Sequence, residues 1–183
     1  MIKKFLSFAV FCMALAAFPY QAPASEIFTD VPLNHWAAGT IKLMAEKDMI
    51  SGYGDGKFCP DSTVTRAEFA AMMVNAAGLK IAGVNAPSFV DVLLSHWGLL
   101  QVEAAKNFFN YTKTGEGLFF RPDVPILREE AAAALTRAKG LEKQKNWQNK
   151  LKKFNDYAEF TPVYGPDIAP AIFEGLIDRK SVV

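Results

Sequence analysis

The stretch GYGDGKFCPDSTVTRAEF, which spans residues 52–69, contains two turn signals followed by the start of a helix. Its three glycines stand at alternate positions, and glycine permits the positive φ angles that a tight reversal requires. The Pro-Asp pair at 60–61 makes a second turn. Thr65 and Glu68 then match the capping-box pattern, in which each side chain bonds the backbone amide of the other. We therefore predict a glycine turn, an extended segment and a helix that ends at Gly78.

The segment ahead of the glycine turn is predicted to form another helix. Asn34 is a suitable N-cap at its start, and Phe58 is expected to pack under the turn that follows. One face of this helix carries residues that recur with helical spacing, most of them apolar: Trp36, Thr40, Leu43, Met44 and Lys47. The unit is therefore helix, glycine turn, extended segment, helix.

The same unit occurs again further along the chain. Residues 28–31 (FTDV) reappear as residues 89–92 (FVDV), and the His-Trp pair at 35–36 reappears at 96–97, both 61 positions later. The FCPD motif at 58–61 reappears as FRPD 62 positions later, followed by the arginine and glutamate of the capped helix. Because a unit of this size must bury its apolar face against a neighbouring copy, the chain is predicted to be a repeat protein.

The second unit departs from the first at the start of its last helix. Leu127 stands where the first unit has the capping Thr65, and the loss of such a cap costs about 1 kcal/mol. The glycine turn is also reduced, to Gly115 and Gly117. We expect this part of the second unit to be held less tightly.

A third unit starts at residue 154 and supplies only a first helix. Its apolar side chains follow the spacing of one helix face: Ile168, Ile172 and Leu176, widened by Phe173 and Ile177. Pro166 and Pro170 are placed near the helix start, where a missing amide donor is tolerated. We predict that this helix docks on the first two units as a cap and adds no third binding groove.

These motifs resemble the S-layer-homology module. The match is strong over residues 28–79, weaker over 89–141 and partial over 154–178. The resemblance implies an all-α fold, in which tandem helix–loop–helix repeats pack around a shared helical bundle. It also implies four parts after the export signal: module 1 over residues 25–80, module 2 over 86–141, a basic linker or helix extension over 142–153, and a partial module 3 over 154–183.

The function that the resemblance implies is non-covalent attachment to wall polysaccharide, often pyruvylated, in grooves between modules. In the family, the arginine of the Thr-Arg-Ala-Glu stretch helps to bind the sugar, and that role falls on Arg66 and Arg128. A guanidinium fork matches the two oxygens of a ketal carboxylate, an indole ring can cover a pyranose face, and glycine lets backbone amides approach a ligand. The candidate polysaccharide-binding residues are therefore Arg66, Arg128, Asp30, Asp91, Trp36, Trp97 and Gly52.

Several of these residues also suit structural roles, and the sequence leaves both roles open. The two arginines stand where surface ion pairs are common. Asp30 and Asp91 are expected to cap or brace the helix that follows them, and the two tryptophans are expected to anchor the core. His35 and His96 occupy equivalent positions, so repeat symmetry explains the pair without a metal or catalytic role.

The first 24 residues have the features of a secretory signal peptide: a basic start, an uncharged apolar run, and small residues ahead of a cleavage site after Ala24. The apolar run, Phe5 to Phe18, is shorter than the roughly 20 residues that a bilayer span needs, and no later run is long enough. Removal of the signal leaves 18 basic against 19 acidic residues, which gives no attraction to nucleic acid. Cys59 is then alone, so neither an internal disulfide nor a cysteine metal cluster is expected.

The sequence therefore predicts an exported, non-enzymatic protein of the cell wall or S-layer, with no cofactor and no metal. No Ser/His/Asp, Cys/His or paired-carboxylate set stands outside the repeats, and the glycine turn lacks the Gly-Lys-Ser/Thr ending of a phosphate loop. Two alternatives stay open. One is a periplasmic tether that binds peptidoglycan in a bacterium with two membranes, and the other is the non-catalytic remnant of a longer anchored enzyme.

Overall fold

The computed structural model describes residues 27–154 and 159–177 of the 183-residue chain. The predicted signal peptide, with its cleavage site after Ala24, lies outside the described residues. The elements in chain order are α1 (Ala38–Glu46), α2 (Arg66–Ala77), α3 (Leu99–Ala105), a 3-10 turn (Lys106–Phe108), β1 (Thr112–Thr114), β2 (Gly117–Phe119), α4 (Arg128–Ala138), α5 (Trp147–Leu151) and α6 (Gly165–Phe173).

Helix α2 begins as predicted, because neighbouring side chains satisfy its first amides. Thr65 Oγ1 accepts a hydrogen bond from Glu68 N at 3.2 Å, and the Glu68 carboxylate accepts one from Thr65 N at 2.7 Å. Gly78 ends the helix in the left-handed conformation with φ of 60°. The capping box and the terminal glycine are therefore confirmed. Leu127, at the equivalent position before α4, makes no side-chain cap bond.

Helix α1 begins later than the sequence predicts. Its first residue is Ala38, because a turn closed by the His35 N to Pro32 O bond of 2.8 Å comes first. The predicted N-cap, Asn34, belongs to this turn, and α1 has no side-chain cap. The Ala37 amide donates instead to His35 Nδ1 at 3.2 Å. The prediction of an Asn34 cap is therefore wrong.

The buried face of α1 is also different from the predicted one. Because α1 starts at residue 38, Trp36 lies ahead of it and is 91% exposed, while Leu43 is 51% exposed. The side chain that α1 buries is Ile41, which packs with Phe28 and Ile50 in the apolar cluster of the first unit.

The helices α1 and α6 end in the same way. Asp48 and Gly175 both adopt a left-handed φ, of 55° and 69°. In each case the next amide donates to the carbonyl five residues back at 2.9 Å. The chain leaves the helix there, so Leu176 and Ile177 lie beyond α6 and not on its face as predicted.

The largest apolar cluster joins the two complete units. It contains α2 residues packed with α3 and with aromatic rings of the second unit, among them Ala67, Ala70, Met73, Phe89, Phe109 and Phe120. The extended segments of the two units also hydrogen-bond to each other. Residues 64–67 and 122–126 share three backbone bonds of 2.9 to 3.0 Å. This cluster therefore contains residues of both units, and the cluster around Ile41 in the first unit is separate from it.

The second unit contains a small hairpin that the sequence did not predict. Strands β1 and β2 are antiparallel, and they pair Thr112 with Phe119 and Thr114 with Gly117. The described residues thus combine short helices with one two-stranded sheet. The all-α class and the packing of the repeats around a shared bundle stay predictions.

Helix α6 docks on α4, as predicted for the partial third unit. Ile168 and Ile172 are 0% and 1% exposed. Phe173, however, is 43% exposed, and its ring lies 4.9 Å from the Lys153 ammonium. The prediction that Phe173 widens the buried face is therefore wrong.

The basic segment 142–153 is neither a bare linker nor an extension of α4. It contains the separate helix α5, whose Leu151 is fully buried in a cluster with α6. The ring of Trp147 lies against Gly165, where a Cβ would come within 2.4 Å of the indole. The close approach of this ring to the backbone requires glycine at that position.

Pro170 lies inside α6 and not near its start, unlike Pro166. A proline has no amide hydrogen, so Pro170 cannot donate to the Pro166 carbonyl one turn earlier. That carbonyl instead accepts from Gln144 N at 2.9 Å. The proline therefore creates an attachment point for the basic segment.

Candidate functional site

Asp30 and Asp91 hold equivalent backbone segments in the two units. The Asp30 carboxylate accepts from Phe58 N at 2.8 Å and from Cys59 N at 2.7 Å. Asp91 accepts from Phe120 N at 2.9 Å and from Arg121 N at 2.6 Å. The bond from Phe58 N is the largest of the effects that together lower the pKa of Asp30. Each aspartate therefore braces the segment after the glycine turn, and the prediction that it braces the following helix is wrong.

Gly52 is required by the shape of the glycine turn. Its φ is 63°, and a Cβ at this position would lie 2.5 Å from the Phe28 ring and 2.6 Å from the Lys57 carbonyl oxygen. Any other residue would be strained and would push on the ring beneath the turn. The Phe28 and Phe58 ring centroids are 5.3 Å apart, so Phe58 packs against the ring that lies beneath the turn. Its predicted packing under the turn itself stays a prediction.

A groove of about 500 Å³ is lined by residues of both complete units, and we call it the intermodule groove. The first unit contributes residues 49–54, most of residues 58–64, and the α2 side chains of Glu68, Ala71, Met72 and Asn75. The second unit contributes Trp97. Of the predicted binding residues, the groove therefore brings together Gly52 and Trp97.

Trp97 is held at the groove by the residue before it. His96 Nδ1 accepts from Gly98 N at 3.0 Å, and its Nε2 lies 3.2 Å from the Asp123 carboxylate. The His96 and Trp97 rings stack with centroids 5.7 Å apart. Trp97 is 59% exposed, so the prediction that it anchors the core is wrong. Its position gives the groove an aromatic surface.

Trp36 has the same local arrangement but does not line the groove. Its ring centroid lies 5.8 Å from that of His35, which accepts from Ala37 N as His96 accepts from Gly98 N. The predicted structural role of the histidine pair is therefore confirmed. Because Trp36 is almost fully exposed, the core-anchor prediction is wrong for it as well.

Tyr53 and Glu68 are groove residues that the sequence predictions did not include. The Tyr53 hydroxyl donates to Glu68 Oε1 at 2.9 Å, and this bond raises the pKa of the tyrosine. Burial acts to raise the pKa of Glu68, but hydrogen bonds from Thr65 and Tyr53 outweigh it, and the pKa is lowered. The groove therefore contains an ionised carboxylate. The sequence signal that could have identified Tyr53 is its position between two glycines of the turn.

Arg66 is directed into the junction of the two units. It is 7% exposed. Its Nε donates to Phe120 O at 2.6 Å, one terminal nitrogen donates to Asn110 O at 2.7 Å, and the guanidinium forms an ion pair with Glu130. It also lies over the Phe120 ring, 4.6 Å from the centroid. Arg66 is not a lining residue of the groove, and its predicted contact with polysaccharide stays a prediction.

Arg128 begins α4, as the sequence predicts, and is exposed. It does not line the groove either. The two arginines therefore have different environments: Arg66 is buried and Arg128 is at the surface. The role of Arg128 in binding also stays a prediction.

Among residues 27–154 and 159–177, no three His, Cys, Asp or Glu side chains are grouped so as to hold a metal ion. None of the helices in the same ranges combines the length and the apolar character that crossing a bilayer requires.

The chain is similar in sequence to an anchoring protein, an S-layer protein and an enzyme. The chain is 33% identical over 120 residues to a cellulosome-anchoring protein of Acetivibrio thermocellus, which covers 63% of this chain and 26% of that protein. It is 34% identical over 125 residues to an S-layer protein of Bacillus thuringiensis subsp. finitimus, and the match covers 68% of this chain and 15% of that protein. It is 34% identical over 123 residues to an amylopullulanase of Thermoanaerobacterium thermosulfurigenes, and the match covers 67% of this chain and 6% of that protein. The chain thus spans far less than two thirds of these relatives.

The family comparison falls on the region that forms most of the groove. Residues 27–70 match the family model of the S-layer homology domain. These residues include the first aspartate brace, the glycine turn and the capping box, which are the motifs from which the resemblance was inferred. The part of the chain that matches the S-layer homology domain is therefore residues 27–70.

Proposed function

We propose that this chain is an exported protein that binds wall polysaccharide non-covalently, and that the intermodule groove is the binding site. The observation that carries the proposal is the placement of Trp97 of the second unit over a groove built by the first. The names of the relatives, which include a cellulosome-anchoring and an S-layer protein, support a place at the cell surface. Binding would then depend on both units being folded against each other.

The chemistry of the groove suits a sugar. Recognition sites are concave and largely apolar, with a few polar groups that fix orientation. The exposed indole of Trp97 can cover the apolar face of a pyranose, while Ser51, Thr63 and Asn75 offer hydroxyl and amide groups along the lining. Asp30 and Gly52 act indirectly, because they fix the backbone that forms the wall.

The tandem arrangement of the units supports the proposal. Helix α3 packs on α2, and α6 packs on α4, so the first helix of each later unit rests on the last helix of the unit before it. We propose that modules 1 and 2, over residues 25–80 and 86–141, form one binding groove, and that residues 154–183 close the array. This extends the predicted all-α repeat plan.

The proposed role is anchoring without catalysis. Some relatives are named as enzymes, among them the amylopullulanase, so similarity to this family is compatible with a catalytic neighbour in those proteins. The proposal for this chain rests on the groove lining, where Glu68 is hydrogen-bonded to Thr65 and Tyr53 and is not paired with a second carboxylate in the manner of a glycosidase.

Cosedimentation with purified cell-wall sacculi tests the proposal. Trp97→Ala is expected to weaken binding about tenfold or more, since large aromatic contacts dominate such sites. Trp36→Ala is the matched control, because Trp36 has the same local setting and greater exposure but lies outside the groove lining. Equal binding by both variants would show that the intermodule groove is not the binding site. Sacculi stripped of secondary polymers distinguish polysaccharide from peptidoglycan, which is the target of the alternative periplasmic tether.

A further inference from the structure

The basic residues of the chain are concentrated in one segment. Residues 139–153 contain six lysines and one glutamate, whereas the rest of the chain after residue 24 contains 12 lysines and arginines against 18 aspartates and glutamates. All six of these lysines are exposed. None of residues 139–153 lines the intermodule groove, so the proposed function does not account for this concentration of positive charge.

Contacts at both ends of α6 hold the segment along that helix. At the start of α6, Lys143 Nζ lies 3.5 Å from the buried carboxylate of Asp167. At its end, the ammonium groups of Lys150 and Lys153 lie 5.5 and 4.9 Å from the centroid of the Phe173 ring. Because a helix of nine residues is about 13 Å long, the lysines form an elongated surface.

The acidic side chains close to this surface do not cancel its charge. The Asp167 carboxylate is paired with Arg137 at 2.7 Å, and the side chain of Lys143 is still 61% exposed. Among the described residues, Glu142 lies within the segment and Glu174 follows the aromatic ring, and both are exposed. Six lysines against these two carboxylates leave the surface with a net positive charge.

Phe173 adds an exposed aromatic ring to the lysines. It is 43% exposed, although Ile172, the residue before it, is 1% exposed and belongs to the apolar cluster of α5 and α6. An aromatic ring beside lysines is typical of surfaces that meet a bilayer, where the ring enters the headgroup region and the ammonium groups contact lipid phosphates. A polyanion dissolved in water would gain from the lysines alone.

We propose that Phe173 and the six lysines of residues 139–153, together called the basic stripe, dock the chain on a bilayer surface rich in anionic phospholipid. Each lysine near such a surface increases affinity about fivefold. The acidic remainder of the chain does not prevent docking, because charges more than about 10 Å away are screened at an ionic strength of about 0.1 M. Docking of this kind is peripheral and reversible, and it is independent of the intermodule groove.

Cosedimentation with phospholipid vesicles provides the first test. Residues 25–183 are used, because the apolar signal segment would itself bind lipid. We expect binding to phosphatidylglycerol–phosphatidylcholine vesicles to be at least about tenfold tighter than to phosphatidylcholine alone, and to weaken about fivefold or more between about 0.1 and 0.5 M NaCl. Equal binding to the two kinds of vesicle, or no binding to the anionic one, would overturn the proposal.

Paired lysine substitutions provide the second test. Lys150→Gln with Lys153→Gln should weaken binding to the anionic vesicles about tenfold or more. Lys57→Gln with Lys113→Gln is the matched control, because it removes the same charge from exposed positions outside the basic stripe, and its affinity should stay within about twofold. Equal losses in the two variants would show that net charge, and not the basic stripe, governs binding.

Phe173→Ala distinguishes a bilayer from a soluble polyanion. The variant should bind the anionic vesicles about threefold or more weakly, because the apolar contact of the ring is lost. Its affinity for long-chain polyphosphate should change by less than about twofold, since the lysines are intact. Unchanged vesicle binding would show that the ring takes no part, and tighter binding of polyphosphate than of vesicles would identify a soluble polyanion as the partner. Either result would overturn the assignment to a bilayer.

Discussion

The Arg66 guanidinium forms a buried ion pair with the Glu130 carboxylate, and this pair joins the first repeat unit to the second. The side chains are 8% and 6% exposed. Each residue stands in the first turn of its helix, α2 or α4, so the pair links the starts of two equivalent helices. Arg66 thus has a structural role in this chain, which the sequence resemblance did not indicate.

Arg66→Ala is expected to destabilise the chain by about 3–5 kcal/mol. Removal of one partner of a buried pair leaves the other charge, here that of Glu130, without compensation. Urea unfolding followed by circular dichroism measures the change. The double variant Arg66→Met with Glu130→Met should recover most of the loss, because a buried pair can be replaced by apolar residues of similar size. If Arg66→Ala unfolds at the same urea concentration as the unaltered chain, the ion pair is not a significant link.

Arg128→Ala tests whether Arg128 binds glycan, as the sequence resemblance implies, or whether binding is confined to the intermodule groove. The resemblance predicts that Arg128 binds glycan, which would make its loss cost about 1.5–3 kcal/mol, or roughly ten- to hundredfold in affinity. The structure places Arg128 outside the groove lining, so we expect affinity to change by less than about twofold. The measurement is cosedimentation with sacculi after folding has been verified. A tenfold loss would show that a second surface takes part in binding.

The stability of the chain should decrease at low pH. The carboxyl groups of Asp30, Glu68 and Glu103 have lowered pKa values in the folded chain. A group of this kind stabilises the fold above its unfolded pKa, and that contribution is lost as the pH falls through the folded pKa. We expect a constant urea midpoint between about pH 7 and 5 and a decrease below about pH 4.

Asp30→Asn tests the part of this decrease that belongs to the aspartate brace. The amide variant should be less stable at pH 7 and should show a smaller loss below pH 4, because one titrating carboxylate is absent. Asp61→Asn, at an exposed position in the same segment, is the matched control and should follow the unaltered chain. Parallel pH curves for Asp30→Asn and the unaltered chain would contradict the assignment.

Local sequence signals predicted the elements whose cause is local. The Thr65 and Glu68 capping box and the Gly78 terminus were predicted correctly, because the interacting groups are at most five residues apart. The start of α1 was not, since a turn centred on His35 satisfies the first amides in place of the Asn34 side chain. Helical spacing alone could not decide between these two ways of starting a helix.

The candidate site was predicted only in part, because its geometry depends on distant residues. The partners of Arg66 lie 44 to 64 positions away in the chain, and no spacing pattern shows that its side chain is directed into the junction. Trp36 and Trp97 each follow a histidine whose ring accepts from the amide two residues on. The groove nevertheless forms at Trp97, where the α2 helix of a preceding unit is present. The repeat pattern predicted that the two tryptophans are equivalent. They are not, because only the second unit has a preceding unit whose α2 helix can form the groove.

The docking of α6 on α4 should contribute to the stability of the whole chain. Ile172 is 1% exposed, whereas the next residue, Phe173, is 43% exposed. Ile172→Ala should therefore cost about 2–5 kcal/mol through loss of packing and the cavity left behind, and Phe173→Ala should cost less than about 1 kcal/mol. Thermal and urea unfolding of the two variants provide the comparison.

Truncation after Gly140 extends this test to the entire cap. It removes α5 and α6, exposes the buried alanine face of α4, and leaves Arg137 without the Asp167 carboxylate that lies 2.7 Å away. The truncated chain should melt at a lower temperature and bind an apolar-surface dye. It should keep its glycan affinity within about twofold per folded molecule, because the groove lining ends at residue 97. An unchanged melting temperature without dye binding would show that residues 141–183 are a tail, and loss of glycan binding by a folded truncated chain would show that the third unit contributes to the site.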